Sequence, residues 1–283
     1  MKFGLSKHGS ELSAIYGPLL ELDKYLDEIF LSWAKDYEAV EYKFPQLLAI
    51  KYLDRLQYFK SFPHLATFAV TLDRDKTNLK QFSDNHRVLE DGSMKLPNVE
   101  SSTHVVTPAA CYHAYVEFEG QEFNTPKIIT TRGTCCRCED HYEILERQWT
   151  FSMREIICIG TQDEVRDFLK SAKRKVDLFV KEIGLDLKWE GATDPFFNPK
   201  NNPKYIFQKL EPVKNELIFD NRLAIASTND HINYFGETFN LTRNGETLSS
   251  GCIAFGMERW LSAIVNTFGQ NPKDWPSINT DYE

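Results

Sequence analysis

One long, cleanly bounded helical pattern interrupts a series of short β-like runs, and this alternation constrains the fold more than any other feature of the sequence. The stretch TQDEVRDFLKSAKRKVDLFVKEIG opens with Thr161 and Glu164 at capping-box spacing and stops at Gly184. Val165, Phe168, Leu169, Ala172, Val176, Phe179 and Ile183 recur at three- and four-residue intervals, so this helix has an apolar stripe to bury. Around it THVVTPAACYHAYVEFEG, KIITTRGTCCRCED, RQWTFSMREIICIG, YIFQKLEP, NELIFD and RLAIAST read as strands parted by Gly, Asn, Asp or Pro. A last helix, MERWLSAIVNTF, follows SGCIAFG and ends at Gly269. The pattern predicts an α+β fold, an antiparallel sheet with helices packed on it.

The N-terminal part reads as mainly helical. Apolar residues from about Ser10 to Trp33 follow helical spacing, with Pro18 a kink or boundary. Pro45 suits the first turn of a second helix carrying Leu48, Tyr52, Leu56 and Phe59, and HLATFAVTL then reads as a strand. Residues 76–101 are polar and rich in turn signals. The N-terminus lacks a signal-peptide pattern, and no apolar run approaches the roughly 20 residues of a membrane span. A cytoplasmic location with reduced cysteines and no membrane partner is expected. A net charge of −8 argues against a large nucleic-acid surface. The basic run Lys170–Lys175 reads as a solvated helix face on which an acidic partner could dock.

Three of the six cysteines fall within GTCCRCED. If this stretch is extended, Cys136 and Cys138 point to one face about 6.6 Å apart by rise, poor geometry for chelating one metal. No second ligand pair accompanies them, so these sulfurs read as packing groups. Arg137 and Glu139, which share the face of Cys135, are the odder feature: a charged pair in a run otherwise apolar enough for a core.

The R-x-E of Arg137 and Glu139, a polar loop containing Arg147 and the return strand WTFSMREI together resemble motif 2 of the class II aminoacyl-tRNA synthetases. SGCIAFGMERW resembles their motif 3, and FPQLLAIKYLDRLQYFKSFP more weakly their motif 1. Within the class, TPAACY, SMREI, NDHINYFGETF and SGCIAFGMERW look most like the amino acid:[carrier protein] ligases, truncated homologues of archaeal-type seryl-tRNA synthetase. The resemblance implies a single catalytic domain over 1–283, with a helical extension over 1–43 and a helical insertion over 161–190. It also implies a homodimer, and a zinc ion held by Cys111, Glu155 and Cys252, one from each of three strands. Bacterial-type seryl enzymes carry T-x-E where this chain has Thr107-Pro108-Ala109, and the missing glutamate fits a metal that recognises the substrate amine.

Zinc accepts mixed thiolate and carboxylate ligands, and three protein ligands leave a position open for an amine. By resemblance Arg137 contacts the α-phosphate of ATP and the substrate carboxylate, Glu139 lies near the adenine amino group, Arg147 covers the nucleotide, and Arg259 holds the γ-phosphate. A carboxylate nucleophile needs no general base, so catalysis reduces to positioning and charge stabilisation. Magnesium is expected with ATP but unassigned: RLAIASTN lacks the acid of seryl enzymes, and either Glu216 or Glu237 could substitute or the phosphates could mainly hold the metal. Asn229, His231 and Glu237 are candidates for the substrate pocket. The implied activity is adenylation of a small amino acid, glycine or alanine first, then transfer to the phosphopantetheine thiol of a carrier protein. Seryl-type charging of tRNA and a catalytically silent paralogue are the alternatives. The sequence shows neither a coiled-coil arm nor a basic appended domain, so tRNA is not the expected acceptor.

Overall fold

The computed structural model describes residues 3–8 and 12–276. The Ser10 end of the first expected helix lies outside these residues. Helix α1 is Gly17–Asp36, and Pro18 sits in its first turn, where a missing N–H costs nothing. Pro18 therefore starts the helix and does not kink it. A hairpin of Leu5–His8 and Leu12–Ile15 precedes it, so the first 43 residues are not helical throughout.

Seven strands build the main sheet: β1 Val40–Tyr42, β2 Lys127–Cys136, β3 Thr150–Gly160, β4 Leu187–Gly191, β5 Lys214–Phe219, β6 Leu223–Ile232 and β7 Ser249–Gly256. Their order is β1-β2-β3-β7-β6-β5-β4. Neighbours run antiparallel except β1, which joins β2 in parallel. The return from β5 to β6 is tight because Asp220 and Asn221 accept φ of 50° and 55°, as short polar side chains can.

The remaining labelled helices are α2 Tyr112–Glu117, α3 Gln162–Ile183, α4 Tyr234–Phe239 and α5 Met257–Phe268. One face of the sheet is closed by α1, α3 and α5. Phe30 of α1 stacks on Phe255 of β7 at 4.0 Å, and Trp33, Phe179 and Trp260 pack around them. The α3 boundaries match the sequence pattern: Thr161 and Glu164 form the capping box, and Gly184 ends the helix at φ 73°. The stretch 161–190 is thus built into this core. The other face carries a second core from β2, β3, β7, α2, α4 and residues near 48–58.

Several expected strands are absent or short. YIFQKLEP lies mostly in the helix Pro203–Leu210, started by Pro203 and capped by the Asn202 side chain. HLATFAVTL contributes only Phe68–Ala69 to a small sheet with Leu47–Ala49 and His104–Val106. Pro45 precedes the strand Leu47–Ala49, and the helix begins later, at Ile50. The polar stretch 76–101 contains a helix, Lys76–Asn85, capped by Asp75.

Candidate active site

Alternation along β3 decides where its charges go. Arg154, Ile156 and Cys158 turn toward the helices, whereas Glu155, Ile157 and Ile159 turn to the opposite face. Ile157 lies beside Cys252 of β7 in the ladder, which brings Cys252 onto the Glu155 face. Cys111 reaches the same point from the N-cap of α2, so it comes from a helix start and not from the third strand that the resemblance implied. Ligand atoms of Cys111, Glu155 and Cys252 all lie within 4.8 Å of one another, and the three residues are 7%, 3% and 2% exposed.

The surroundings hold these side chains in place. The Ala110 N–H donates to Glu155 Oε1 at 3.1 Å, and Asn229 Nδ2 donates to Cys252 Sγ at 3.5 Å. His231 Nε2 lies 3.9 Å from the same sulfur, while its Nδ1 is 3.1 Å from the Tyr115 hydroxyl and 3.2 Å from that of Ser250. A hydrogen bond to Cys252, then burial and the Glu155 charge, push the Cys111 thiol well up. The Cys111 contact pulls the Cys252 thiol down, yet burial and Glu155 carry it above its ordinary value. Burial likewise raises the Glu155 carboxyl, against hydrogen bonds from both cysteines. Two thiols and a carboxyl converge with no cation among them, and a divalent ion would reverse all three shifts. The donor set of two sulfurs and one oxygen suits zinc and leaves a fourth position.

The arginine group forms a second part of the site. Arg137 Nε donates to the Pro108 carbonyl at 2.8 Å, and its guanidinium lies 5.0 Å from the centre of the Phe151 ring. Arg147 holds Glu139 at 2.6 Å. Arg259 Nε donates to the Glu146 carbonyl at 2.7 Å, and its Nη1 to that of Ala224 at 2.9 Å. Burial, then the nearby charges of Arg137 and Arg147, lower the Arg259 guanidinium, so the three cations lie near enough for Arg259 to feel the other two. Such an arrangement favours a polyanion.

Of the pocket candidates, Asn229 and His231 stand beside the triad. Glu237 is a correction: it is exposed on α4, and its carboxylate is taken by Asn233 at 2.6 Å. Glu216, the other acid considered for magnesium, is held by Lys214 at 3.0 Å. Sequence reasoning missed Phe151, although strand alternation from Glu155 would have placed it on the site face. It also missed Asp194, whose oxygens accept from Lys214 at 2.7 Å and from Gln208 at 2.8 Å. Burial works to raise the Asp194 carboxyl, but Lys214 and Gln208 bring it below its usual range. No sequence pattern marks Asp194, because Gln208 and Lys214 reach it from a separate helix and strand.

The basic run on α3 stands on the sheet face opposite the triad. There Lys175 pairs with Asp36 at 2.6 Å, and Lys173 lies over Trp189 at 4.7 Å. Among the described residues no helix is long and apolar enough to cross a membrane.

No protein-family model matches the chain. Amino acid–[acyl-carrier-protein] ligase 1 of Bradyrhizobium diazoefficiens is 30% identical over 244 residues, covering 83% of this chain and 73% of the relative. The type-2 serine–tRNA ligase of Methanocaldococcus jannaschii is 24% identical over 281 residues, and the chain spans 53% of its length. Among solved structures, the SerRS of M. kandleri, crystallised with A. aeolicus tRNASec, superimposes with a TM-score of 0.81 at 18% identity over 96% of this chain and 56% of its own. The fold is that of the class II aminoacyl-tRNA synthetases.

Proposed function

Since the chain belongs to the amino acid–[acyl-carrier-protein] ligase family, we propose that it forms an aminoacyl-adenylate from ATP and a small amino acid, glycine or alanine, and passes the aminoacyl group to a carrier-protein thiol. The observation that carries this reading is the buried Cys111–Glu155–Cys252 cluster, on the same sheet face as the Phe151 ring beneath Arg137. When bound there, zinc would supply a Lewis-acid position for the neutral amine of an amino acid. Magnesium would arrive with the phosphates of ATP.

The chain's own residues position the reaction. Arg137 sits where one guanidinium can bridge the substrate carboxylate and the α-phosphate, stabilising charge as the carboxylate oxygen attacks phosphorus and pyrophosphate leaves. Phe151 offers an aromatic face beside it, Glu139 and Arg147 hold each other at the nucleotide's edge, and Arg259 faces the terminal phosphate. Asn229 and His231 confine the amino acid next to the metal ligands. In the second step the thiolate of the carrier's arm attacks the activated carbonyl and AMP departs. The chain is also read as a homodimer, since Leu47, Phe68 and Val70 stand exposed on or beside the small sheet.

The serine–tRNA ligases among the relatives keep tRNA charging as the second reading. Incubation with ATP, glycine, alanine or serine, and either tRNA or a phosphopantetheinylated carrier protein, separates the two. Label on the carrier thioester is expected; label on tRNA alone would replace the first reading with the second.

A further inference from the structure

Glu146 belongs to none of the groups assigned above, yet it ties together the parts that present Arg259 and Arg147. Its carboxylate is buried at 7% exposure and faces several donors. Arg222, from the turn between β5 and β6, grips both oxygens, with Nη2 to Oε1 at 3.1 Å. Ser262 Oγ donates to Oε1 at 2.8 Å, and Asn266 Nδ2 approaches it at 3.4 Å; both belong to α5. The backbone of the same residue accepts from Arg259 Nε, and the next residue is Arg147.

The β2–β3 loop is therefore pinned to α5 and to the β5–β6 turn through one side chain. The requirement for such a pin follows from the charges. Arg147 is already paired with Glu139, but Arg137 and Arg147 both repel Arg259, which is held by backbone carbonyls. With Nε and Nη1 of Arg259 taken by two carbonyls, its Nη2 edge is left for a ligand. A guanidinium held this way binds phosphate without first being ordered.

We propose that Glu146 is a positioning residue for the nucleotide: by locking the β2–β3 loop onto α5 and Arg222, it holds Arg259 and Arg147 where the phosphates of ATP bind. This rests on the reading of Arg259 as a phosphate contact. The amino-acid end lies on the Cys111–Glu155–Cys252 side of the site, to which Glu146 makes no hydrogen bond. Its loss should act on ATP and spare the metal cluster.

The test compares Arg259→Ala, Glu146→Ala and Arg222→Met, measuring the Kd for magnesium-ATP by calorimetry, the KM values for ATP and amino acid in pyrophosphate exchange, and the zinc content. Arg222 is half exposed, so its variant carries the test if Glu146→Ala does not fold. Glu146→Ala is expected to weaken ATP about tenfold and Arg222→Met about threefold, with amino-acid KM and zinc unchanged. If Arg259→Ala weakens ATP while Glu146→Ala and Arg222→Met bind it normally, or raise both KM values in parallel, Glu146 is not a positioning residue. If Arg259→Ala itself leaves ATP affinity intact, the reading of the phosphate contact fails first, and the inference with it.

Discussion

Arg154 and Glu155 are neighbours on one strand, both almost fully buried, and they have opposite kinds of surroundings. Arg154 meets Asp27 through two hydrogen bonds at 2.8 and 2.9 Å and Glu41 through a third at 2.8 Å. Its charge is answered within the protein, and it ties α1 and β1 to the sheet. Glu155 meets two thiols and the backbone N–H groups of Ala110 and Cys111. Among the described residues no cation pairs with it, and burial raises its carboxyl. A buried charge with a complete set of partners belongs to the fold; a buried acid among soft ligands without a cation points to a site. Their adjacency in sequence hides this difference, and the alternation of the strand reveals it.

The sharpest way to break the contrast is to remove each member. Arg154→Met takes the buried cation from Asp27 and Glu41, leaving Asp27 only Arg132 at 3.4 Å, and should cost about 2–3 kcal/mol in zinc-free denaturant unfolding. Glu155→Gln should leave zinc-free stability within about 1 kcal/mol of wild type. Equal losses would erase the distinction.

A smaller effect is expected from His231, on the site face. Removal of water from its ring pushes it down to about 4, against the ordinary value near 6.5. Between these values the folded state binds fewer protons than the unfolded one, so its contribution is present above about 6.5 and is lost as pH falls toward 4. The Tm of zinc-free protein should therefore drop less between pH 7 and pH 5 in His231→Gln than in wild type. Parallel curves would show that His231 does not carry this dependence.

The smallest effect is predicted for the cysteine cluster. Cys136 is buried with its thiol 3.6 Å from Thr67 Oγ1, and Cys138 is only partly buried. Replacing either with Ala should change stability by about 1 kcal/mol or less and leave bound zinc unaltered. A loss of zinc in either variant would move the metal site to the cluster.

How much of this was legible follows the range of the interactions involved. Local signals worked: the capping box of α3, its Gly184 stop and the strand-like runs of β2, β3 and β7 are set by neighbours in the chain. The arginines and the three candidate ligands came from the resemblance to class II motifs, and the fold places the ligands together. Long-range signals did not work. YIFQKLEP is apolar in both helical and extended phase, and only the Asn202–Pro203 start marks it as a helix. Glu237 looked like a pocket acid but lies on the exposed side of α4, because Phe235 and Phe239 take the buried side. Asp194 and Glu146 depend on partners that tertiary folding alone brings to them.

The central claim is that the Glu155 face holds a metal which the Arg154 face has no need of. Its most direct test is the metal content of purified wild type beside Cys111→Ser, Glu155→Gln and Cys252→Ser. Close to one zinc per chain is expected in wild type, and little or none in each of the three variants. Undiminished zinc in Cys252→Ser would contradict the account.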